Sequence, residues 1–264
     1  MTLNDAELTI TAAEAGAAVV RDRYGSPLIR HDKTATDFAT NADVEAEIAI
    51  KKVLTAARPR DGFIGEELGA SGPADRTWLV DPMCGTLNFA VQSPLVAVNV
   101  ALRVDGAVTV AASTDPFAQE TFWTDGNDAH LRKHGRDMRL VPSADSALVD
   151  LNLDAPPDEA PRITAVRMLA TPGFARAFRP RVLSTTLALV WVASGRRAAY
   201  VTDGDLLDSV HFAAGIAVCQ AAGCVVTALH GQPLHTGPGG LIAAANREVH
   251  TQLLAIIEKT REVR

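Results

Sequence analysis

Residues 78–89 constrain the fold more than any other stretch: Trp78-Leu79-Val80-Asp81-Pro82-Met83-Cys84-Gly85-Thr86-Leu87-Asn88-Phe89. Trp78, Leu79 and Val80 read as the end of a buried strand. Asp81 follows, and then Pro82, which cannot donate to a sheet ladder and is expected to stop it. Gly85-Thr86 opens a short helix. A strand that delivers a carboxylate to a turn just ahead of a helix start makes a station for a cation or a phosphate.

The rest of the chain narrows the class. Its 264 residues suffice for one large domain or two small ones. Nearly half are apolar and about a fifth charged, the balance of an ordinary globular protein. A formal charge of −6 without a basic run argues against a nucleic-acid partner. No apolar run reaches the roughly 20 residues of a membrane span, so no membrane partner is expected. Met1–Asp5 has neither the basic start nor the apolar core of a signal peptide. Cys84, Cys219 and Cys224 are scattered and odd in number, so a reducing cytoplasm is expected rather than a disulfide framework.

Taken in order, 6–21 has helical periodicity, stopped by Gly25 and Pro27. The polar segment Lys33–Asp43 offers Thr40 or Asn41 as the cap of a helix to about Ala57, with Val44, Ile48, Val53 and Leu54 facing inward. Phe63-Ile64-Gly65-Glu66-Glu67 is a strand ending on two acids. Strands are predicted over 96–104, 107–113, 120–124, 136–141 and 147–153, an antiparallel run with turns at Asp105-Gly106 and Asp125-Gly126. Ala155–Pro161 reads as a connector between halves. Beyond it, a helix over 184–195 capped by Ser184, a strand over 198–202 and a helix capped by Asp208 or Ser209 are expected. That last helix carries the stripe Val210, Ala213, Ala214, Ala217, Val218, Ala221. Strands over 224–228 and 241–245 and a helix over 246–259 complete the chain. The mixture predicts an α+β fold, a layered α/β sandwich forming one domain over 1–264, with halves of about 1–154 and 155–264. Cys219 and Cys224 are expected as packing residues, and Trp78, Trp123 and Trp191 as core or half-buried anchors.

From about Lys33 to the last helix, the chain resembles the inositol monophosphatase family. The resemblance rests on Asp37-x-x-Thr40-x-x-Asp43, Gly65-Glu66-Glu67, Asp81-Pro82-x-Cys84-Gly85-Thr86, Val96-Ala97-Val98, and Ala213-Ala214-Gly215 ahead of Ala222-Gly223. It implies a layered fold, a homodimer, and hydrolysis of a small-molecule phosphate monoester with magnesium. On that basis Glu66, Asp81 and the Met83 carbonyl would hold a first magnesium, and Asp43 would position a further metal or its water. Thr86, with Glu66 or Asp43, would orient the attacking water, and the Gly85 and Thr86 N–H groups would hold the phosphate. Hard cations take oxygen ligands and neutralise a phosphoryl group as water attacks.

The chain departs from that pattern at several places. Cys84 stands where the family has its second signature Asp, and His211 where it has an Asp at a late helix. Ala221 replaces a Glu that meets a polyol, and Leu183-Ser184 replaces a Gly-Ser/Thr pair. Thiolate and imidazole suit zinc better than magnesium. Asp203, Asp205 or Asp208 would be the carboxylates available to compensate. Three readings stay open: a diverged magnesium phosphatase; an enzyme using Cys84 and His211 as nucleophile and base or as soft-metal ligands; and a non-catalytic pseudophosphatase that binds a ligand or partner. Magnesium, zinc and no metal stay open as the occupant of the site. A helix start beside Cys84 would favour its thiolate, and a place in the first helical turn would keep His211 neutral. Both residues are expected close together in space.

Overall fold

The first helix, α1 (Asp5–Arg23), starts where the Asn4 side chain accepts the Glu7 N–H at 2.8 Å. Acids occupy its first turn and arginines its last, as the helix dipole favours. A computed structural model describes residues 3–34, 37–73, 75–154, 164–204, 206, 208–235 and 239–262. They divide into two compact units. The first comprises Met1–Arg139, Thr185–Leu187 and Val210–Val218; the second comprises Leu140–Ser184, Ala188–Ser209 and Cys219–Arg264.

In the first unit, β1 (Arg30–Asp32) and β2 (Phe38–Thr40) form a small antiparallel pair. Helix α2 (Asn41–Ala57) starts at Thr40 with a reciprocal capping box, Asp43 reaching back to the Thr40 N–H. There follow β3 (Gly62–Gly65), β4 (Gly69–Ser71), β5 (Arg76–Cys84), the short α3 (Thr86–Ala90), β6 (Ala97–Val104), β7 (Ala107–Asp115), β8 (Glu120–Thr124), β9 (Ala129–Lys133) and β10 (Arg136–Arg139). They make an eight-stranded sheet in the order β10-β9-β8-β7-β6-β5-β3-β4, antiparallel except where β3 meets β5.

Strand alternation separates the two faces of this sheet. Trp78 and Val80 on β5, with Val98, Val100 and Leu102 on β6, join Ala13, Ala17, Ala46 and Ile50 of α1 and α2 in one core. Leu79 and Ala101 point the other way and pack with Val210, Ala213, Ala214 and Ala217. Helices therefore cover both faces, as a sheet apolar on both sides requires.

The second unit holds β11 (Leu148–Asn152), α4 (Thr164–Ala170), α5 (Pro172–Ala177), β12 (Arg179–Val182), most of α6 (Leu187–Ala193) and β13 (Ala199–Thr202). It also holds the end of α7 (Ala213–Ala221), then β14 (Val225–Thr227), β15 (Leu241–Ala244) and α8 (Arg247–Glu262). Its five strands run β12-β11-β13-β15-β14. Val149, Leu151 and Val201 pack there with Met168, Phe174, Leu253 and Ile257.

The α+β layered fold is as expected, and several local expectations are corrected. Pro82 does not end its strand: β5 runs to Cys84 across a bulge between Asp81 and Cys84, where no ladder N–H is needed. Residues 148–152 do not extend the antiparallel run but start the second sheet, parallel to β12 and β13. A strand over 129–133 was not expected, because its Ala-His-Leu-Arg-Lys pattern is polar on one side. Ser184 caps no helix; its hydroxyl bonds Asp154, while the Thr185 hydroxyl accepts the Leu187 N–H at 3.3 Å. Neither Asp208 nor Ser209 caps α7, since residues 208–212 are turns and loop and Asp208 is left-handed at φ 54°. The connector at 155–161 lies outside the described residues.

On α2 the inward stripe is Ala42, Asp43, Ala46, Glu47, Ile50 and Leu54, whereas Ile48 is 51% exposed. Ile50 closes against Gly16 of α1, where an added Cβ would sit 2.6 Å from the Ile50 Cδ1. Ile50→Ala is predicted to cost about 2–5 kcal/mol, read as a lower urea midpoint at unchanged slope. Ile48→Ala should stay within about 0.5 kcal/mol. Equal losses at the two positions would refute this helix orientation.

Candidate active site

The site lies on the sheet face that carries Leu79 and Ala101. Asp81 is two residues beyond Leu79, and Asn99 two before Ala101, so both point to that face. They are direct cross-strand partners. The bulge after Asp81 folds the chain back so that the Met83 N–H donates to the Asp81 Oδ1 at 3.0 Å. Gly85 then takes φ 110°, a left-handed value, and a Cβ there would lie 2.7 Å from the Leu95 carbonyl oxygen. Glycine is therefore required to turn β5 into α3.

One cluster forms around Asp43. The Thr86 hydroxyl donates to Asp43 Oδ1 at 2.9 Å and lies 3.3 Å from the Met83 carbonyl oxygen. The Thr40 N–H and hydroxyl donate to Asp43 Oδ2 at 2.7 and 2.6 Å.

A second cluster forms around Asp81. His211 Nδ1 is 2.8 Å from Asp81 Oδ2 and 3.9 Å from Glu66 Oε2. The Asn99 amide donates to Asp81 Oδ2 at 3.4 Å and to the Thr186 hydroxyl at 2.8 Å. Asp81, Cys84 and His211 each bring one donor atom within 4.8 Å of the other two. Lys33 Nζ bridges Glu66 at 2.8 Å and Glu67 at 2.6 Å. Glu47 fixes the turn that carries these acids, accepting the Glu67 and Leu68 N–H groups, each at 2.8 Å. Gly65 makes room for it, since a Cβ there would overlap the Glu47 carboxylate at 1.8 Å.

Burial sets the protonation of these groups, and their neighbours decide which of them carry charge. Burial alone would raise Asp81, but the charge and hydrogen bond of His211, with hydrogen bonds from Glu66 and Asn99, hold it below the usual carboxylate range. Burial would lower His211, yet Asp81, Cys84 and Glu66 together push it well above 6.5; its side chain is 41% exposed, so water screens part of that pull. Burial and the Asp81 charge push Glu66 up to about 8 against the pull of His211 and Lys33. Of this pair Asp81 is the ionised member. The ammonium of Lys33 is held charged by both glutamates, with Glu67 the nearer. Burial pushes Asp43 up to about 6, while hydrogen bonds from Thr40 and Thr86 pull it down.

Asp43, Glu66, Asp81, Met83, Cys84, Gly85, Thr86 and His211 all fall in the first unit, whereas Asp203, Asp208 and Ala221 fall in the second. Asp43 meets Thr86; His211 meets Asp81, Glu66 and Cys84; Met83 links the groups through its N–H and carbonyl, its side chain lying in the core. Two expectations are corrected. Cys84 ends β5 just ahead of α3, as expected, but burial with the Asp81 charge pushes its thiol up, away from a thiolate. His211 precedes α7 and faces a carboxylate, which favours imidazolium over the neutral ring. Of the expected compensating acids, Asp203 accepts the Ala165 N–H at 3.1 Å. Asp205 lies outside the described residues.

Lys33, Glu47, Asn99 and Thr186 were not anticipated. Glu47 had a signal, four residues after Asp43 on the inward face of α2. Asn99 had one too, a lone amide inside an apolar strand. Lys33 and Thr186 had none.

The layered architecture matches solved structures along nearly its whole length. Extragenic suppressor protein SuhB from Bartonella henselae superposes with a TM-score of 0.84 at 26% identity, covering 96% of this chain and 98% of that one. The Thermotoga maritima IMPase gives 0.81 at 21% identity over 97% and 98%, a likeness of fold. In sequence, the inositol-1-monophosphatase of Caulobacter vibrioides is 35% identical over 84% of this chain and 88% of its own. The Nus factor SuhB of Vibrio cholerae is 30% identical over 87% and 85%. The model of the inositol monophosphatase family matches residues 4–262. The chain belongs to the inositol monophosphatase family.

The raised acids give folding a pH dependence with a definite sign. Glu66 holds its proton more tightly folded than unfolded, so its contribution is full below about pH 4.5 and lost as pH rises through about 8. Asp43 acts alike between about 3.8 and 6. In chelator, stability by urea unfolding should fall from pH 5 to 8, and Glu66→Gln should flatten that fall. A variant that tracks the parent over this range would refute the assignment.

Proposed function

We propose that this chain is a metal-dependent phosphomonoester hydrolase acting on a small phosphorylated metabolite, with one flank of its site altered. The observation that carries the proposal is the joint geometry of Asp43 and Thr86 beside the converging carboxylates of Glu66 and Asp81.

The donor set tests the fit of magnesium. Glu66, Asp81 and the Met83 carbonyl are hard oxygen donors, and the two carboxylates converge on one point, since a single His211 nitrogen lies within 3.9 Å of both. That flank suits a hard cation. The flank of Cys84 and His211 does not, because thiol and imidazole are poor magnesium ligands. Magnesium held by Glu66, Asp81 and the Met83 carbonyl would supply Lewis acidity to the phosphoryl group.

The chain's own residues do the remaining work. The Thr86 hydroxyl has one hydrogen, given to Asp43 Oδ1, so its oxygen serves as acceptor for an O–H of the attacking water. Asp43, raised to about 6, is an effective proton acceptor near neutral pH. Thr40 holds the far oxygen of Asp43 and fixes its direction. The amides of Gly85 and Thr86 are assigned to the phosphate oxygens. Lys33 adds positive charge beside Glu66, which favours an anionic substrate. Ala221, in place of a glutamate that meets a polyol, supports an ester other than an inositol phosphate. A homodimer, implied by the resemblance, belongs to the same proposal.

Phosphate release from a panel of sugar and polyol phosphates with magnesium tests it. Asp43→Asn and Glu66→Gln should each lower kcat by about 100-fold or more. Release that is absent, or indifferent to both changes, would overturn the proposal. Separately, Cys84→Asp combined with His211→Asp should raise magnesium-dependent release above the parent by restoring two oxygen ligands. An unchanged or lower rate would show that these two residues are not what sets the parent apart.

A further inference from the structure

Asp81, Cys84 and His211 present three different donor atoms to one point. The carboxylate oxygen, sulfur and ring nitrogen lie within 4.8 Å of one another, and all three residues belong to the first unit. Zinc bonds of about 2.0–2.3 Å put the ligand atoms of a tetrahedral site roughly 3.3–3.5 Å apart. The Asp81–His211 separation of 2.8 Å would open slightly to admit an ion. We infer that this trio is a binding site for a zinc-class divalent cation, distinct in donor chemistry from the oxygen flank of Glu66, Asp81 and the Met83 carbonyl.

Three further features fit such a site. First, the donors are held by independent elements: Asp81 and Cys84 on either side of the β5 bulge, His211 ahead of α7. Second, Asp81 is oriented from behind by the Met83 N–H and the Asn99 amide, and Asn99 is fixed in turn by Thr186. Outer partners of this kind orient ligands at metal centres. Third, three protein donors of mixed S, N and O type leave a fourth tetrahedral position open, the arrangement of catalytic rather than structural zinc. His211 is partly exposed, so the trio is in reach of solvent. Softness favours zinc over magnesium here, and the Irving–Williams order adds to it. The inference stands without the hydrolase proposal, since it concerns binding alone.

The test strips the full chain with a chelator, reloads it with zinc or with cobalt(II), and removes excess metal by gel filtration. One equivalent of zinc should be retained in the presence of excess magnesium. The cobalt form should show a near-ultraviolet thiolate-to-cobalt absorption that Cys84→Ser abolishes with the circular dichroism spectrum unchanged. His211→Ala should weaken zinc binding by at least about 10–100-fold. Should a variant fail to fold, anomalous scattering from the zinc-loaded parent should place one ion between the three side chains. No retained zinc, a cobalt band that survives in Cys84→Ser, or an ion bound elsewhere would each overturn the inference. These readouts do not involve turnover, so an inactive protein that binds zinc here would defeat the hydrolase proposal alone.

Discussion

The buried carboxylate of Asp81 is the group the site is built to satisfy. It is wholly enclosed, and an ion withdrawn from water costs several kcal/mol unless its oxygens are met. The Met83 N–H meets one oxygen, and His211 and Asn99 meet the other. Each partner is delivered by a separate feature of the fold: the bulge in β5, the register of β5 with β6, and the turn ahead of α7. A register slip of one residue would send Asn99 to the opposite face and leave the carboxylate short of a donor. The apolar packing of the sheet and the polar satisfaction of the site therefore specify the same register. Trp78 and Val80 need the α1/α2 face, and only then does Asp81 reach the other.

That arrangement changes the charge carried by the site. Glu66, Glu67 and Asp81 face Lys33 and His211, two cations supplied by the chain itself. Where the family resemblance places two more carboxylates, this chain has a thiol and an imidazole, which bring no negative charge. A pocket of this kind needs less cationic neutralisation from outside, and its affinity for a hard, doubly charged ion drops on the altered flank. The same replacement raises its affinity for a softer ion. Both effects come from Cys84 and His211.

Much of this was legible in the sequence, and what was missed has physical causes. Strand residues with strict alternation or a flanking turn, such as 62–65 and 97–104, were read close to their observed limits. The β5 bulge was not, because a proline in sequence signals a stop, whereas a bulge lets the strand continue past it. The parallel partners of β11 lie 31 and 50 residues further on, and no local pattern marks so distant a pairing. Site acids in short motifs were found. Lys33 and Thr186 were not, because each acts through a partner brought close only by tertiary structure. The protonation of Cys84 and His211 was inferred from helix ends. In the structure a full charge at 2.8 Å outweighs the partial charge of a helix terminus.

The path of the chain explains why those distant residues matter. After residue 139 the chain builds the second unit, but it re-enters the first twice, at 185–187 and at 210–218. Each return carries a polar residue to the Asp81 cluster: Thr186, which holds Asn99, and His211, which meets Asp81 across a separation of 130 residues. The apolar neighbours of His211, Val210, Ala213 and Ala217, are what seat the second return on the sheet, against Leu79 and Ala101. Contacts so remote in sequence carry a loop-closure cost that local contacts do not. Until they form, Asp81 is a buried acid lacking its strongest partner. The site is thus complete only with this part of the sheet's covering layer docked, which ties the chemistry of the pocket to the packing of Val210–Val218.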